Sequence, residues 1–154
     1  MANDFGVIAD YYLIGIQLGI LNYEQAISWA EGVVEEQKEP PVEIIEVALS
    51  QPKGRNGVMD ALRDVEGERN LQWSGAMLLS DILQRLVADG DLQSLIKMAI
   101  GVSCLTKLPD DFYWELDRID DEFSLVEQGV LFSMDDCRKR LHDTLSTYLE
   151  QVSI

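Results

Sequence analysis

The stretch Leu18-Gly19-Ile20-Leu21-Asn22-Tyr23-Glu24-Gln25-Ala26-Ile27-Ser28-Trp29-Ala30 carries the signals for the end of one helix and the start of the next. Gly19 can adopt the left-handed backbone conformation that ends a helix. Asn22 can accept a hydrogen bond from the first free amides of the following helix. Gln25 stands at the third helical position, where its side chain can bond back to Asn22. This stretch therefore predicts a helical hairpin.

Similar turn signals occur twice more along the chain, at Ala88-Asp89-Gly90-Asp91 and at Gln128-Gly129-Val130-Leu131-Phe132-Ser133-Met134-Asp135-Asp136. Gly90 is predicted to end one helix, and Asp91 and Ser133 to cap the helices that follow. The glycines at 19, 90 and 129 are unevenly spaced, whereas the repeats of helical solenoids recur every ~34 to 47 residues. We therefore predict an irregular bundle and not a solenoid.

Apolar residues recur at helical spacing through most of the chain, and no segment shows four or more residues of strict alternation. The sequence predicts an all-α fold, a single domain over residues 1–154 that forms an irregular bundle of about seven or eight helices in antiparallel helical hairpins. Its length and its 47% of hydrophobic residues are enough for one core. The predicted helices cover about residues 5–18, 23–37, 41–50, 58–65, 70–88, 92–104, 109–128 and 134–152.

Several local predictions accompany this fold. Asp4 is expected to cap the first helix, and Asn56 the short helix that begins at Val58. The segment Gln51-Pro52-Lys53-Gly54-Arg55-Asn56-Gly57 is dense in turn residues, so it is predicted to be a loop. Four further residues are predicted to be buried: the free thiols of Cys104 and Cys137, and the core side chains of Trp29 and Trp73.

The chain is strongly acidic. It holds 28 acidic and 12 basic residues, for a net charge of -16. Such a surface repels nucleic acids and anionic membranes, so the expected partner is a basic protein. The start Met1-Ala2-Asn3-Asp4 has neither the basic region nor the apolar region of a secretory signal, and no apolar run approaches the length of a membrane span. We therefore expect a cytoplasmic protein.

The negative charge is concentrated in the two ends of the sequence. Acidic residues outnumber basic ones by nine to one in residues 1–52 and by twelve to four in residues 109–154. The middle segment, residues 53–108, holds equal numbers of acidic and basic residues. Asp117, Asp120 and Asp121 are spaced to share a helical face, where like charges destabilise the helix slightly. This face is either simply solvated or a docking site for a basic partner, with Tyr113 or Trp114 as an aromatic anchor. The predicted partner-binding residues are Asp110, Asp111, Tyr113, Trp114, Asp117, Asp120 and Asp121; a second acidic face comprises Glu31, Glu35, Glu36 and Glu39.

The sequence lacks the motifs of common enzymes. The only histidine is His142, and no Glu-x-x-His pair, phosphate-binding glycine loop, Gly-x-Ser-x-Gly or Cys-x-x-Cys motif occurs. We therefore predict a non-enzymatic protein with no catalytic residue, cofactor or metal. Paired carboxylates at Glu43 and Glu46 and at Asp60 and Asp64 resemble the magnesium site of the all-α nucleoside triphosphate pyrophosphatases. In that family the second pair has Glu-x-x-Asp spacing, whereas here it is Asp-x-x-x-Asp.

In the stretch from Leu18 to Ala30, in size and in acidity, the chain resembles the small helical immunity proteins that bacteria co-produce with polymorphic or contact-dependent toxins. The resemblance implies a cognate toxin domain, commonly a basic nuclease, that is blocked by an acidic surface. Two alternatives stay open. One is a helical adaptor or chaperone that binds its partner through an apolar groove, and the other is a magnesium-dependent nucleotide pyrophosphohydrolase.

Overall fold

A computed structural model of the protein describes residues 4–130 and 133–152. Over these residues the chain forms eight α-helices, one short 3₁₀ turn and no strand, which confirms the all-α prediction. None of the helices in this part combines the length and apolar character needed to cross a lipid bilayer. The helices are α1 (Phe5–Gln17), α2 (Tyr23–Glu36), α3 (Val42–Ala48), α4 (Gly54–Arg63), α5 (Leu71–Val87), α6 (Leu92–Leu105), α7 (Asp110–Glu127) and α8 (Met134–Val152).

The end of α1 has the predicted glycine turn. Gly19 has a φ of 78°. The Ile20 amide donates to the carbonyl of Gly15 at 2.8 Å, and the Gly19 amide donates to that of Ile16 at 3.2 Å. This pair of bonds is the Schellman motif, which satisfies carbonyls that the helix itself leaves free.

The start of α2 has the predicted capping box. The Gln25 amide donates to the Asn22 side-chain oxygen at 3.0 Å, and the Asn22 amide donates to the Gln25 side-chain oxygen at 2.8 Å. Each residue thus satisfies a backbone donor that would otherwise have no partner within the helix.

We expect Asn22→Ala to lower the free energy of unfolding by about 1 kcal/mol, because the Gln25 amide at the start of α2 loses its side-chain acceptor. Urea denaturation followed by circular dichroism measures the loss. Asn56→Ala is the matched control, since Asn56 lies inside α4 and caps no helix; its effect should stay within about 0.5 kcal/mol. Equal effects of the two substitutions would contradict the assignment of the cap.

The turn after α5 differs from the prediction in one residue. Asp89, and not Gly90, adopts the left-handed conformation, with a φ of 66°. A β-carbon on Gly90 would lie 2.8 Å from the Arg85 carbonyl oxygen, so glycine is required here by close approach. Asp91 caps α6 as predicted and accepts from the Ser94 amide at 3.0 Å.

The predicted caps of the last and the first helix have different outcomes. The Asp136 amide donates to the Ser133 hydroxyl at 3.1 Å, so Ser133 caps α8. Gly129 has a φ of 71°, whereas Leu131 and Phe132 of the same predicted turn lie outside the described residues. Asp4 precedes α1 but makes no side-chain capping bond, so that prediction was wrong.

The predicted loop at residues 51–57 is helical. Gln51–Lys53 form the 3₁₀ turn, and α4 begins at Gly54, so Asn56 cannot be its cap. The cause is tertiary, because burial of Val58, Met59 and Leu62 on one side of α4 outweighs the local preference of the turn residues.

Packing divides the chain into two compact units, one extending to Ser74 and one starting at Gly75, with the boundary inside α5. The single-domain prediction stays a prediction. In the first unit, α2 packs on α3 and α4, and α1 packs on α4. Trp29 packs against the core of this unit and stacks on Tyr12, whereas Trp73 is 42% exposed, contrary to prediction. The core of this unit consists of Ala9, Ile16, Ala26, Ile27, Ala30, Ile44, Val47, Val58, Met59, Leu62 and Val65.

In the second unit, α7 packs against both α6 and α8. Cys137 is buried in this unit as predicted, and its thiol donates to the Ile119 carbonyl at 3.7 Å. Burial raises the pKa of the Cys137 thiol. Cys104 is exposed, so its predicted burial was wrong. The buried residues that α6, α7 and α8 contribute include Leu95, Ile96, Ala99, Leu116, Ile119, Phe123, Leu141 and Leu145.

Candidate functional site

Helix α7 positions the acidic residues that the sequence analysis selected. It starts directly after Pro109, and Asp110 and Asp111 occupy its first turn, where negative charge interacts favourably with the helix dipole. Successive residues are about 100° apart around the axis. The buried side is formed by Phe112, Leu116, Ile119 and Phe123. The opposite side carries the outer stripe, which we define as Asp110, Trp114, Asp117 and Asp121.

The outer stripe combines an exposed indole with carboxylates that have no internal counter-charge. Trp114 is 59% exposed, and its ring meets that of Tyr113 edge to face, with ring centroids 5.2 Å apart. Within residues 4–130 and 133–152, no side chain forms an ion pair with the three aspartates of the stripe. Arg118 lies beside the stripe but pairs with Glu115 at 3.3 Å.

Two of the seven predicted residues lie away from this stripe. Asp120 turns towards α6, where its carboxylate accepts from Lys97 Nζ at 3.0 Å. Asp111 turns towards α8 and lines a groove between the two helices. The structure therefore brings together five of the predicted residues, the four of the outer stripe and Tyr113. Binding of a partner by these residues stays a prediction.

The groove between α7 and α8 has a volume of about 780 Å³. Phe112 and Tyr148 form its aromatic side, with ring centroids 4.5 Å apart. Sequence reasoning selected only Asp111 among its lining residues, although the seven-residue spacing of Asp136 and Asp143 places both on one side of α8. The charged residues of the lining are Asp111, Glu115, Asp136, Lys139, Arg140 and Asp143.

Two ion pairs fix α7 to its neighbours. The first is Asp120 with Lys97 of α6, and the second is Glu122 with Arg140 of α8. These pairs show that part of the predicted like-charge repulsion on α7 is relieved inside the chain. Among the described ion pairs, none involves the carboxylates of the outer stripe, Asp111 or Glu127 at the end of the helix.

The carboxylates of the predicted magnesium alternative do not converge. In the described part of the chain, no three or more aspartate, glutamate, histidine or cysteine side chains are grouped so that they could hold a metal ion. Asp60 instead pairs with Arg63 of its own helix at 2.6 Å. His142 is exposed, with its nearest acidic atom on the adjacent Asp143 at 3.5 Å.

Comparison of the chain with models of protein families, with curated proteins and with solved structures found no match. The likeness to immunity proteins stays a prediction from the sequence.

Proposed function

We propose that the protein is a non-enzymatic binding protein of the cytoplasm that neutralises a basic protein partner, as the immunity protein of a toxin does. One observation carries the proposal. The outer stripe of α7 presents an exposed tryptophan flanked by three carboxylates that no other described side chain neutralises. Tryptophan is enriched among the residues that contribute most to protein association, and complementary charge accelerates the encounter.

The neighbours of α7 support a binding role for the stripe. The pairs of Asp120 with Lys97 and of Glu122 with Arg140 attach the helix on both flanks. A surface that is already ordered loses less conformational entropy on binding, so more of the contact energy appears as affinity. The carboxylates of the stripe repel one another until a cationic surface covers them, which favours a basic partner over a neutral one.

The test compares two charge-reversal variants that differ only in position. Asp117→Lys with Asp121→Lys alters the outer stripe, and Glu31→Lys with Glu35→Lys alters the exposed face of α2. Both pairs are four residues apart on one helix, and both make the net charge less negative by four. Asp120 is left unchanged, because a lysine there would face Lys97 and weaken the fold.

The tagged proteins are used to capture partners from a lysate of the source organism, and the captured protein is then purified for affinity measurements at low and high salt. We expect a basic protein whose affinity falls about 100-fold with the α7 variant and less than threefold with the α2 variant. We also expect the wild-type protein to inhibit the activity of that partner stoichiometrically. Equal losses with both variants, or no basic partner, would overturn the proposal.

The adaptor alternative has one specific observation in its favour. Val42 and Leu49 are 64% and 71% exposed, and their seven-residue spacing places them on the same side of α3 and its C-terminal end. A partner that stays bound at high salt, and that is released by Val42→Ser with Leu49→Ser, would support an apolar contact in place of the acidic one.

A further inference from the structure

We propose that the groove between α7 and α8 is a binding site for an arginine side chain of the basic partner, an inference that rests on the proposed function. The contact would then have two adjoining parts on one helix. The outer stripe would meet the basic surface of the partner, and the groove would receive one projecting guanidinium group.

The charge of the groove selects a cation. Its lining holds four carboxylates and two basic side chains. Arg140 is engaged by Glu122, which lies outside the lining, and Glu115 is engaged by Arg118, which also lies outside. The remaining charged groups are three aspartates, Asp111 on α7 with Asp136 and Asp143 on α8, against the single cation Lys139. Carboxylates thus stand on both walls, and an anionic ligand would be repelled by each.

The size of the groove and its carboxylates favour arginine among cations. Phe112 and Tyr148 are 8% and 6% exposed, so the aromatic side offers little ring surface and the carboxylates provide the selectivity. A guanidinium group is planar and weakly hydrated, and it forms two parallel hydrogen bonds with a carboxylate, which an ammonium group cannot do. A volume of about 780 Å³ admits such a side chain together with its flanking backbone.

The groove adjoins the outer stripe. Asp111 of the groove and Asp110 of the stripe are consecutive in the first turn of α7, about 100° apart around the helix. A partner surface that covers Trp114 therefore lies next to the opening of the groove. The hydroxyl groups of Thr144 and Thr147 in the lining add neutral acceptors for the remaining guanidinium N–H groups.

The test is an NMR titration of the ¹⁵N-labelled protein with the peptide acetyl-Gly-Arg-Gly-amide. The matched probe contains citrulline in place of arginine, which keeps the shape and removes the charge. We expect saturable shifts of the backbone amides around Asp111, Asp143 and Thr147 with the arginine peptide, and none with the citrulline peptide. Asp136→Asn with Asp143→Asn should weaken binding about fivefold or more, because the guanidinium loses two charged acceptors.

The control variant is Asp117→Asn with Asp121→Asn, which removes the same charge from the outer stripe and should change peptide affinity less than twofold. Equal weakening by both variants, equal shifts with both peptides, or shifts confined to other acidic surfaces would overturn the arginine site. A partner that depends on the outer stripe but not on Asp136 and Asp143 would overturn this inference alone. Peptide binding in the groove without any basic partner would overturn the proposed function and leave the arginine site standing.

Discussion

Replacing Gly6 by alanine should lower the free energy of unfolding by about 2–3 kcal/mol, because the added methyl group has no space. A β-carbon at this position would lie 2.8 Å from the Gly67 carbonyl oxygen and would also overlap that of Glu68. Both obstacles are backbone atoms, which cannot rotate away as a side chain does. Accommodation therefore requires that the segment at residues 66–68 move away from α1.

Gly32→Ala is the matched control for this prediction. Gly32 lies within α2, and a β-carbon there would meet nothing within 4 Å. Alanine is the better helix former by about 0.5–1 kcal/mol, so this variant should gain stability. Urea denaturation of both variants measures their free energies of unfolding relative to the wild type. A Gly6→Ala protein as stable as the wild type would show that α1 and residues 66–68 do not approach as closely as described.

The predictions that the structure confirms depend on residues close together in sequence. The capping box needs only Asn22 and Gln25, which are three positions apart, and the left-handed turn needs only Gly19. Such signals are complete within one helical turn, so they are readable without knowledge of the fold. The apolar period of α7 is equally local, since Phe112, Leu116, Ile119 and Phe123 recur at helical spacing and form its buried side.

The predictions that were wrong depend on residues far apart in the sequence. The helix at Gly54–Arg63 is stabilised by burial of one face, and its Arg55 side chain donates to the Ile16 carbonyl from 39 positions away. Cys104 and Trp73 stand in helical segments with an apolar period, yet both are exposed, because periodicity does not reveal which neighbouring element covers a given side of a helix. Partners distant in sequence decide these features.

The candidate site contains features that local sequence spacing predicts and features that depend on the packing of other helices. Sequence spacing placed Asp117 and Asp121 on one helical face, and the structure agrees. The same reasoning included Asp120, whose partner Lys97 lies on another helix and was not foreseen. The groove was missed for the same reason, since its two walls come from helices whose pairing the sequence does not state. A face on one helix can be predicted from periodicity, whereas a cavity between two helices requires their packing.

Arg69 links α1 to the segment that follows α4. Its guanidinium group donates to the Gly6 carbonyl at 2.9 Å, to the Asp10 carboxylate at 2.9 Å and to the Val65 carbonyl. We expect Arg69→Met to lower the free energy of unfolding by about 2 kcal/mol at neutral pH, because the substitution leaves a carboxylate that is 14% exposed without its cation. The value is below that of a fully buried pair because Arg69 is itself 34% exposed.

The pH dependence distinguishes this mechanism from simple loss of packing. Burial raises the pKa of Asp10, and Arg69 opposes the rise through its charge and hydrogen bond. A carboxyl group whose pKa is higher in the folded state binds protons more readily there, so its penalty is complete above the folded pKa and disappears as the pH falls below the unfolded value, about 3.9. Without Arg69, burial acts unopposed, and the pKa of Asp10 should rise further.

The stability deficit of Arg69→Met relative to the wild type should therefore be largest at neutral pH and should shrink on acidification. Urea denaturation of both proteins at pH 7 and at several lower values measures this difference. Asp10→Asn and the double variant Asp10→Asn with Arg69→Met both lack the titrating group, so the deficit of the double variant relative to Asp10→Asn should be smaller at pH 7 and nearly independent of pH. A deficit of Arg69→Met that stays constant or grows as the pH falls would show that the contribution of Arg69 does not act through the Asp10 carboxylate.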